Sequence, residues 1–260
     1  TFGDKARARA LAAKSGVPIV GGTDGPTDVS GATAFFQSLG PDAAVMVKAI
    51  AGGGGRGMRP VTELADLEEA MTRCQSEAET AFGDGRVYVE QLIKAARHVE
   101  IQVAADQDGT VIVLGDRDCS LQRRRQKIIE VAPAPGLSTA QRDALWSDAA
   151  TLTKAANYTG LGTVEFLLGG DGGIAFIEFN ARLQVEHTVT EAVTGLDLVR
   201  LQFDIANGAS LLDTIVPEAR GSAIQARVNL ETMVPDGSAR PGGGILTVFE
   251  PPTGPGVRVD

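Results

Sequence analysis

Apolar and polar residues along the chain alternate with two periods, one typical of helices and one typical of strands. Helical spacing, with capping residues or a terminal glycine, predicts helices at residues 4–15, 29–39, 62–82, 138–158 and 196–206. Short apolar or alternating runs predict strands at residues 17–20, 44–50, 88–92, 98–104, 110–114, 163–168, 174–179, 223–231, 245–250 and 256–260. Long helices mixed with antiparallel strands indicate an α+β fold rather than a doubly wound parallel sheet.

The run FIEFNARLQVEHTVTE, residues 176–191, combines an apolar strand with a dense set of ionisable groups. Glu178 and Asn180 share one side of a strand with a period of two residues, and a carboxylate there is costly to bury unless a cation or hydrogen-bond donors meet it. Glu165 lies on the preceding strand, joined by the turn GGDGG. Converging carboxylates with Asn180 would form an oxygen-rich site suited to Mg²⁺. A pair of edge-exposed carboxylates is the alternative.

Downstream of these strands, Arg182 can bind a small planar anion through its guanidinium group. Glu186 can act as a general base in the same pocket, and His187 is an alternative base. A lone histidine beside a carboxylate is more often structural. The spacing leaves the role of His98 equally open.

Three further features carry positive charge or glycine. The loop AGGGGRGMR, residues 51–59, follows Lys48 and can close its backbone N–H groups on phosphate oxygens, although it lacks P-loop spacing and could be only a flexible connection. In CSLQRRRQK, strand alternation would aim Arg123, Arg125 and Lys127 to one side, whereas a solvated face is the alternative. Arg227, on the strand predicted at 223–231, would be a rigidly positioned cation.

Charge and composition narrow the class of protein. The chain has 33 acidic and 24 basic residues, for a net charge of −9, which disfavours a general nucleic-acid-binding surface but permits a local phosphate pocket. No apolar run is long enough for a membrane span and no signal peptide opens the chain. The two cysteines have no metal spacing. These features favour a cytoplasmic enzyme without a membrane or nucleic-acid partner.

Several motifs occur together and in order: GGTDGP, KAIAGGGGRGMR, RHVEIQV, RDCSLQRRRQK, EVAPAPG, GTVEFL and IEFNARLQVEHTVTE. This set resembles the biotin carboxylase component of biotin-dependent carboxylases, such as acyl-CoA or pyruvate carboxylase, within the ATP-grasp superfamily. The resemblance covers Gly3 to Val259. It implies an ATP-grasp domain at 1–208 with a glycine-loop lid at about 20–92, and the start of a β-rich C-terminal domain at 221–260. The change at Gly221 to strands separated by Pro/Gly-rich turns predicts a domain boundary at about 208–221. By the same resemblance, we expect these residues not to include the N-terminal α/β domain of the family.

The same resemblance implies roles for individual residues. Those matching nucleotide contacts are Lys5, Lys48, Gly53, Gly54, Gly55, Glu90, Ile93, His98 and Gln122, with Glu90 and the backbone near Ile93 at the adenine. Those matching Mg²⁺ or Mn²⁺ ligands are Glu165, Glu178 and Asn180. Those matching the bicarbonate site are Arg182, Gln184, Val185 and, close by, Lys127. Glu186 resembles the base that deprotonates bicarbonate, and Arg227 resembles the cation that stabilises the biotin enolate.

The implied reaction uses ATP and bicarbonate to form carboxyphosphate and ADP, and then carboxylates N1′ of biotin held on a carrier domain. The implied partners are that biotin carboxyl carrier domain and a carboxyltransferase domain, with a homodimer as one assembly state. Arg125 departs from a family histidine and Ala51 from a frequent glycine, which leaves the contacts there open. The alternatives are another ATP-grasp ligase, such as a carbamoyl phosphate synthase-like domain, and a catalytically incomplete nucleotide-binding fragment.

Overall fold

The computed structural model describes residues 2, 4–51, 57–123, 125–170, 172–235 and 239–260. Most of the predicted glycine loop, including Gly53, Gly54 and Gly55, therefore lies outside the described residues. Two compact units are present, Thr1–Ala226 and Arg227–Asp260.

A small antiparallel sheet in the first unit has the order β2-β1-β3. Its strands are β1 (Val45–Ala49), β2 (Met58–Val61) and β3 (Val87–Gln91), and its helices are α2 (Val29–Ser38) and α3 (Leu67–Phe82). Helix α3 ends at Gly83, whose φ of +70° is the left-handed conformation that glycine adopts readily. Buried residues of α2, α3 and the strands form a separate core, including Phe36, Val47 and Met71. This core lies within the region for which the sequence predicts a lid.

The larger sheet of the first unit is antiparallel and has the order β8-β7-β4-β5-β6-β9. Its strands are β4 (Arg97–Ala105), β5 (Val111–Arg123), β6 (Gln126–Ala132), β7 (Gly160–Leu168), β8 (Ile174–Asn180) and β9 (Ala223–Ala226). Helices α1 (Lys5–Lys14) and α4 (Thr139–Ala155) contribute to the apolar core on one face. The predicted capping box at the start of α4 is confirmed, because Ser138 and Gln141 bond each other's backbone N–H groups.

Two short helices, α5 (His187–Thr194) and α6 (Leu198–Ala206), contact strands of this sheet through smaller apolar clusters. Leu198 and Ile205 of α6 pack with Ala104, Leu114 and Leu161 of the strands. No helix among the described residues combines the length and the apolar character needed to cross a membrane.

Most predicted elements are confirmed, with differences at their ends. The strand predicted at 17–20 is wrong: the segment makes only a single bridge, Ile19 to Phe176, because Pro18 lacks the N–H that a continued ladder would need. The helix predicted at 62–82 begins at Leu67, after a 3₁₀ turn at Leu64–Asp66. Strand β5 continues to Arg123, beyond the predicted end at 114.

The second unit contains a short hairpin of β10 (Glu231–Met233) and β11 (Ala239–Pro241). The strands predicted at 245–250 and 256–260 are wrong, since neither segment pairs with a strand among the described residues, and Ile245 and Phe249 are exposed. The observed division, at Ala226, lies after the predicted boundary at 208–221, because β9 pairs with β6.

Candidate active site

The hairpin of β7 and β8 brings together the three residues predicted as metal ligands. Glu165 lies directly opposite Glu178, and Asn180 lies opposite Thr163. Glu165 is buried, and its Oε1 atom accepts hydrogen bonds from the side-chain amides of Asn180, at 2.8 Å, and Gln184, at 3.2 Å. The predicted convergence of the two strands' carboxylates is therefore observed.

Lys127 joins three carboxylates across the sheet. Its ammonium group bonds Glu100, Glu165 at 2.9 Å, and Glu186 at 2.6 Å. Burial opposes the charged form, but attraction to these carboxylates outweighs it and raises the pKa of Lys127. A permanent cation thus lies between the predicted metal ligand Glu165 and the predicted base Glu186.

Glu178 has a different environment from that of Glu165. Its carboxylate has no hydrogen bond or ion pair with a described residue, and its pKa is raised by burial and by repulsion from Glu165. Lys5, Lys48 and Lys127 lie close enough to oppose this rise. An unpaired carboxylate beside a second carboxylate and an amide is a donor set that suits a hard divalent cation. The residues therefore fit the metal that the sequence predicts.

Glu165 keeps its charge although it is buried. Burial favours the neutral acid, yet His98 and Lys127 together lower the pKa of Glu165 well below its usual range. His98 Nε2 lies 2.7 Å from Glu165, and its Nδ1 lies 2.7 Å from the side-chain nitrogen of Gln122. Glu165 outweighs the effect of burial on His98 and raises the histidine pKa. The structure thus places the predicted nucleotide-side residue His98 against the predicted metal ligand Glu165, with Gln122 on the opposite side of the imidazole ring.

Lys5 and Lys48, the lysines predicted to contact the nucleotide, lie at a second buried cluster of charges. Glu90 on β3 accepts hydrogen bonds from Arg9 of α1, at 2.9 Å, and from Lys48 of β1. Burial lowers the pKa of Lys5, while attraction to Glu178 and Glu90 partly opposes it. The Glu90 side chain is thus engaged by Arg9 and Lys48, whereas Ile93 is half-buried just beyond β3.

The predicted bicarbonate residues divide between a buried and an exposed side. Gln184 is buried, and its Oε1 has no hydrogen-bond partner among the described residues. Arg182 is exposed and donates a hydrogen bond to the Leu183 carbonyl at 3.3 Å, and Val185 is 61% exposed. The amide oxygen of Gln184 and the exposed guanidinium of Arg182 therefore provide polar groups at the boundary between the buried cluster and solvent.

Two sequence interpretations need correction. Arg123, Arg125 and Lys127 do not share one side, because β5 ends at Arg123, β6 begins at Gln126, and Arg125 between them adopts a left-handed φ of 64°. Arg125 donates to the Met58 carbonyl instead, while Lys127 reaches the carboxylates. Arg227 does not lie within a strand, since β9 ends at Ala226 and Arg227 begins the second unit.

Sequence reasoning missed the buried groups behind Lys127. Glu100, Gln102 and Arg117 are fully buried. Arg117 donates hydrogen bonds to both of the others, from Nε to Glu100 at 2.6 Å and from Nη1 to Gln102 at 2.8 Å. The alternation of Glu100 and Gln102 with Val99, Ile101 and Val103 in RHVEIQV was the available signal.

Comparison with known proteins identifies the family. Residues 4–214 match the model of the family described as "Carbamoyl-phosphate synthase L chain, ATP binding domain". Pyruvate carboxylase 1 of Caenorhabditis elegans is 46% identical over the whole chain, which covers 22% of that protein. The biotin-dependent acyl-coenzyme A carboxylase alpha3 subunit of Mycobacterium leprae is 47% identical, and the chain covers 43% of it. The chain thus spans less than half the length of these relatives.

Solved structures agree with this assignment. A biotin carboxylase from Campylobacter jejuni, in complex with β,γ-ATP, has a TM-score of 0.91 at 40% identity, covering 97% of this chain and 56% of that one. The biotin carboxylase domain of Hydrogenobacter thermophilus 2-oxoglutarate carboxylase, a dimer with MgADP, ADP and bicarbonate, has a TM-score of 0.84 at 41% identity, covering 88% and 51%. These matches confirm the predicted α+β ATP-grasp fold. The chain belongs to the family of carbamoyl-phosphate synthase L chain ATP-binding domains, and the relatives it resembles are biotin-dependent carboxylases and their biotin carboxylase domains.

Proposed function

We propose that the chain catalyses the ATP- and bicarbonate-dependent carboxylation of carrier-bound biotin at N1′, the first half-reaction of a biotin-dependent carboxylase. The observation that carries this proposal is the ammonium of Lys127, held 2.9 Å from Glu165 and 2.6 Å from Glu186. It couples the group predicted to hold a metal with the group predicted to remove a proton. The bicarbonate bound by the Hydrogenobacter relative supports this choice of substrate.

In the first step, Glu186 accepts the proton of bicarbonate, and a bicarbonate oxygen attacks the γ-phosphorus of ATP. The bond between that phosphorus and the β,γ-bridging oxygen breaks, which leaves carboxyphosphate and ADP. Lys127 compensates negative charge at the reacting groups, while Gln184 and Arg182 provide polar contacts for the planar anion. Positioning and charge stabilisation account for catalysis of phosphoryl transfer in most such enzymes.

The nucleotide would bind where Lys5 and Lys48 lie near Glu178. Glu165, Glu178 and Asn180 would hold Mg²⁺ or Mn²⁺, and the bound metal would neutralise phosphate charge. His98 and Gln122 would contact the nucleotide, with the adenine near Glu90 and Ile93. Lys48 already bonds Glu90, so ATP would compete with that carboxylate for the lysine.

In the second step, carboxyphosphate releases CO₂ and phosphate, the released phosphate accepts the N1′ proton of biotin, and N1′ attacks the CO₂ carbon to form carboxybiotin. We assign Arg227 to stabilise the biotin enolate and propose a carrier domain and a carboxyltransferase domain as partners. The relatives named above include a pyruvate carboxylase and an acyl-coenzyme A carboxylase subunit, so the acyl acceptor stays open. A homodimer is proposed by analogy with the dimeric Hydrogenobacter domain. A cytoplasmic location stays a prediction.

The test is ADP release from the full chain with bicarbonate and free biotin varied separately, for wild type and Glu186→Gln. We expect biotin to stimulate ATP cleavage in the wild type and the substitution to lower the rate by about 10²–10⁴-fold. Glu191→Gln is the matched control on the same helix, because its amide oxygen can still accept the Leu198 N–H. ATP cleavage indifferent to biotin and to Glu186→Gln would contradict the proposal and favour another ATP-grasp ligase. Absence of cleavage would favour a nucleotide-binding module.

A further inference from the structure

Arg117 is a fully buried cation that has no role in the assignments above. It lies on β5, and its guanidinium donates to Glu100 at 2.6 Å and Gln102 at 2.8 Å on β4. It also donates to Thr163 of β7 at 3.3 Å and to Thr190 of α5 at 2.8 Å. One side chain therefore ties three adjacent strands to the helix that follows Glu186.

Glu100 links Arg117 to Lys127. One carboxylate oxygen of Glu100 accepts from Arg117, and the other accepts from the Lys127 ammonium. Burial favours the neutral acid, but Arg117 first and Lys127 second lower the pKa of Glu100. A buried carboxylate shared by two cations has little freedom to move, so the position of Lys127 depends on that of Arg117.

The second connection runs through α5. Glu186 immediately precedes this helix, and Thr190 lies one turn later, on the side that meets Arg117. Arg117 therefore holds both members of the Lys127–Glu186 contact, one through Glu100 and the other through Thr190. Among the described residues, Arg117 itself contacts none of those predicted to bind bicarbonate or nucleotide, and it reaches Lys127 only through Glu100.

We propose that Arg117 is a positioning residue, which fixes Lys127 and Glu186 relative to each other for the bicarbonate step. This inference rests on the proposed function for its catalytic consequence. Its structural part, the dependence of Lys127 on Arg117, holds whatever reaction the site performs.

The first test compares Arg117→Met with Arg117→Lys and Arg142→Met in the full chain. Arg142 bonds Asp116, the neighbour of Arg117 on β5, and it approaches from α4, so its variant removes an ion pair at the adjacent strand position. We expect Arg117→Met to lower kcat for bicarbonate-dependent ADP release by about 10²-fold, with KM for ATP unchanged, since displacements near 1 Å can have that effect. Arg117→Lys should recover part of kcat, and Arg142→Met should leave it unchanged.

The second test does not depend on turnover. Competitive acylation, followed by mass spectrometry, measures the reactivity of Lys127 against that of the exposed Lys14. Lys127 should be protected in the wild type and in Arg142→Met, and more reactive in Arg117→Met. If Arg117→Met cannot be purified folded, Arg117→Lys and Thr190→Val replace it, with smaller changes expected in the same direction.

The outcomes separate the two proposals. Unchanged kcat and unchanged Lys127 protection in the Arg117 variants would overturn the inference, as would an equal kcat loss in Arg142→Met. If the wild type shows no bicarbonate-dependent ADP release, the proposed function fails. Selective exposure of Lys127 in Arg117→Met would still support the positional link.

Discussion

Around residues 99–103 of β4, the two faces of the six-stranded sheet are equally closed to solvent but carry opposite chemistry. On β4, Val99, Ile101 and Val103 pack into the apolar core, whereas Glu100 and Gln102 form the buried polar network, and all five are fully buried. The apolar face gains free energy from burial, but each ion on the other face loses hydration that its partners only partly repay. Stability therefore explains the apolar face and does not explain the polar one. Function does.

Lys127→Met should have the largest effect, because it removes the cation shared by three carboxylates. We expect ADP release to fall by at least about 10²–10³-fold. We also expect the free energy of unfolding to fall by about 3–5 kcal/mol, as when one partner of a buried ion pair is lost. Steady-state kinetics and chemical denaturation measure the two effects. Loss of activity without loss of stability would mean that the carboxylates find other partners.

The pH dependence of the unfolding free energy, compared between the wild type and Lys127→Met, is the control for the predicted loss of ion pairs. Glu100 and Glu165 have folded-state pKa values below the ordinary value of 4.5, so their stabilisation is present above that pH and is lost as pH falls through the folded-state values. The wild type should therefore lose more stability than the variant on acidification below about pH 4.5. Denaturation at stepwise lower pH measures this. Parallel curves for the two proteins would contradict the assigned ion pairs.

Leu145→Ala removes contacts from the apolar face and should lower stability while leaving the rate of ADP release nearly unchanged. Leu145 is fully buried on α4, so truncation should cost about 2–5 kcal/mol of unfolding free energy through lost contacts and a cavity. The rate of ADP release at a temperature where the protein stays folded should change by less than about 2-fold, since the polar face is untouched. Leu145→Met, which keeps the volume, should cost less than about 1.5 kcal/mol. A large rate loss in Leu145→Ala would show that the faces are coupled.

The apolar face was the more predictable from sequence. Periodicity located α4, β7 and β8, and the Ser138–Gln141 capping box identified the start of α4. Strand β5 was underestimated because its second half, Asp116 to Gln122, is as polar as a surface loop. Only the fold reveals that Arg117 meets Glu100 there, since burial and partner identity depend on which strands are neighbours.

The polar site was predictable only where residues are close in sequence. Glu165 and Glu178 lie on consecutive strands of one hairpin, so their convergence followed from the turn between them. Lys127 and Glu186 are 59 residues apart, with α4, β7 and β8 between them, and no periodicity indicates their contact. The left-handed backbone at Arg125 likewise interrupts the strand alternation that the sequence predicts across Arg123, Arg125 and Lys127.

Glu178→Gln should have the smallest effect on folding, and in the opposite direction. The pKa of Glu178 is raised by burial and by Glu165, so its ionised form is unfavourable in the folded protein. The penalty is present at neutral pH and disappears as pH falls below the ordinary value of 4.5, where the group is protonated in both states. Without metal, the variant should therefore be more stable at pH 7 by about 0.5–2 kcal/mol, a gain common when a functional charge is removed.

Adding Mg²⁺ should reverse the relative stabilities of the wild type and Glu178→Gln. A metal held by Glu165, Glu178 and Asn180 binds the folded state alone, so Mg²⁺ should raise the melting temperature of the wild type and leave Glu178→Gln nearly unchanged. Glu79→Gln is a control for the loss of one negative charge at a surface position of α3. Differential scanning calorimetry with and without Mg²⁺ measures the shift for all three proteins. An equal shift in the wild type and Glu178→Gln would mean that the metal binds elsewhere. The buried carboxylates of the polar face would then be explained by nucleotide and bicarbonate chemistry alone.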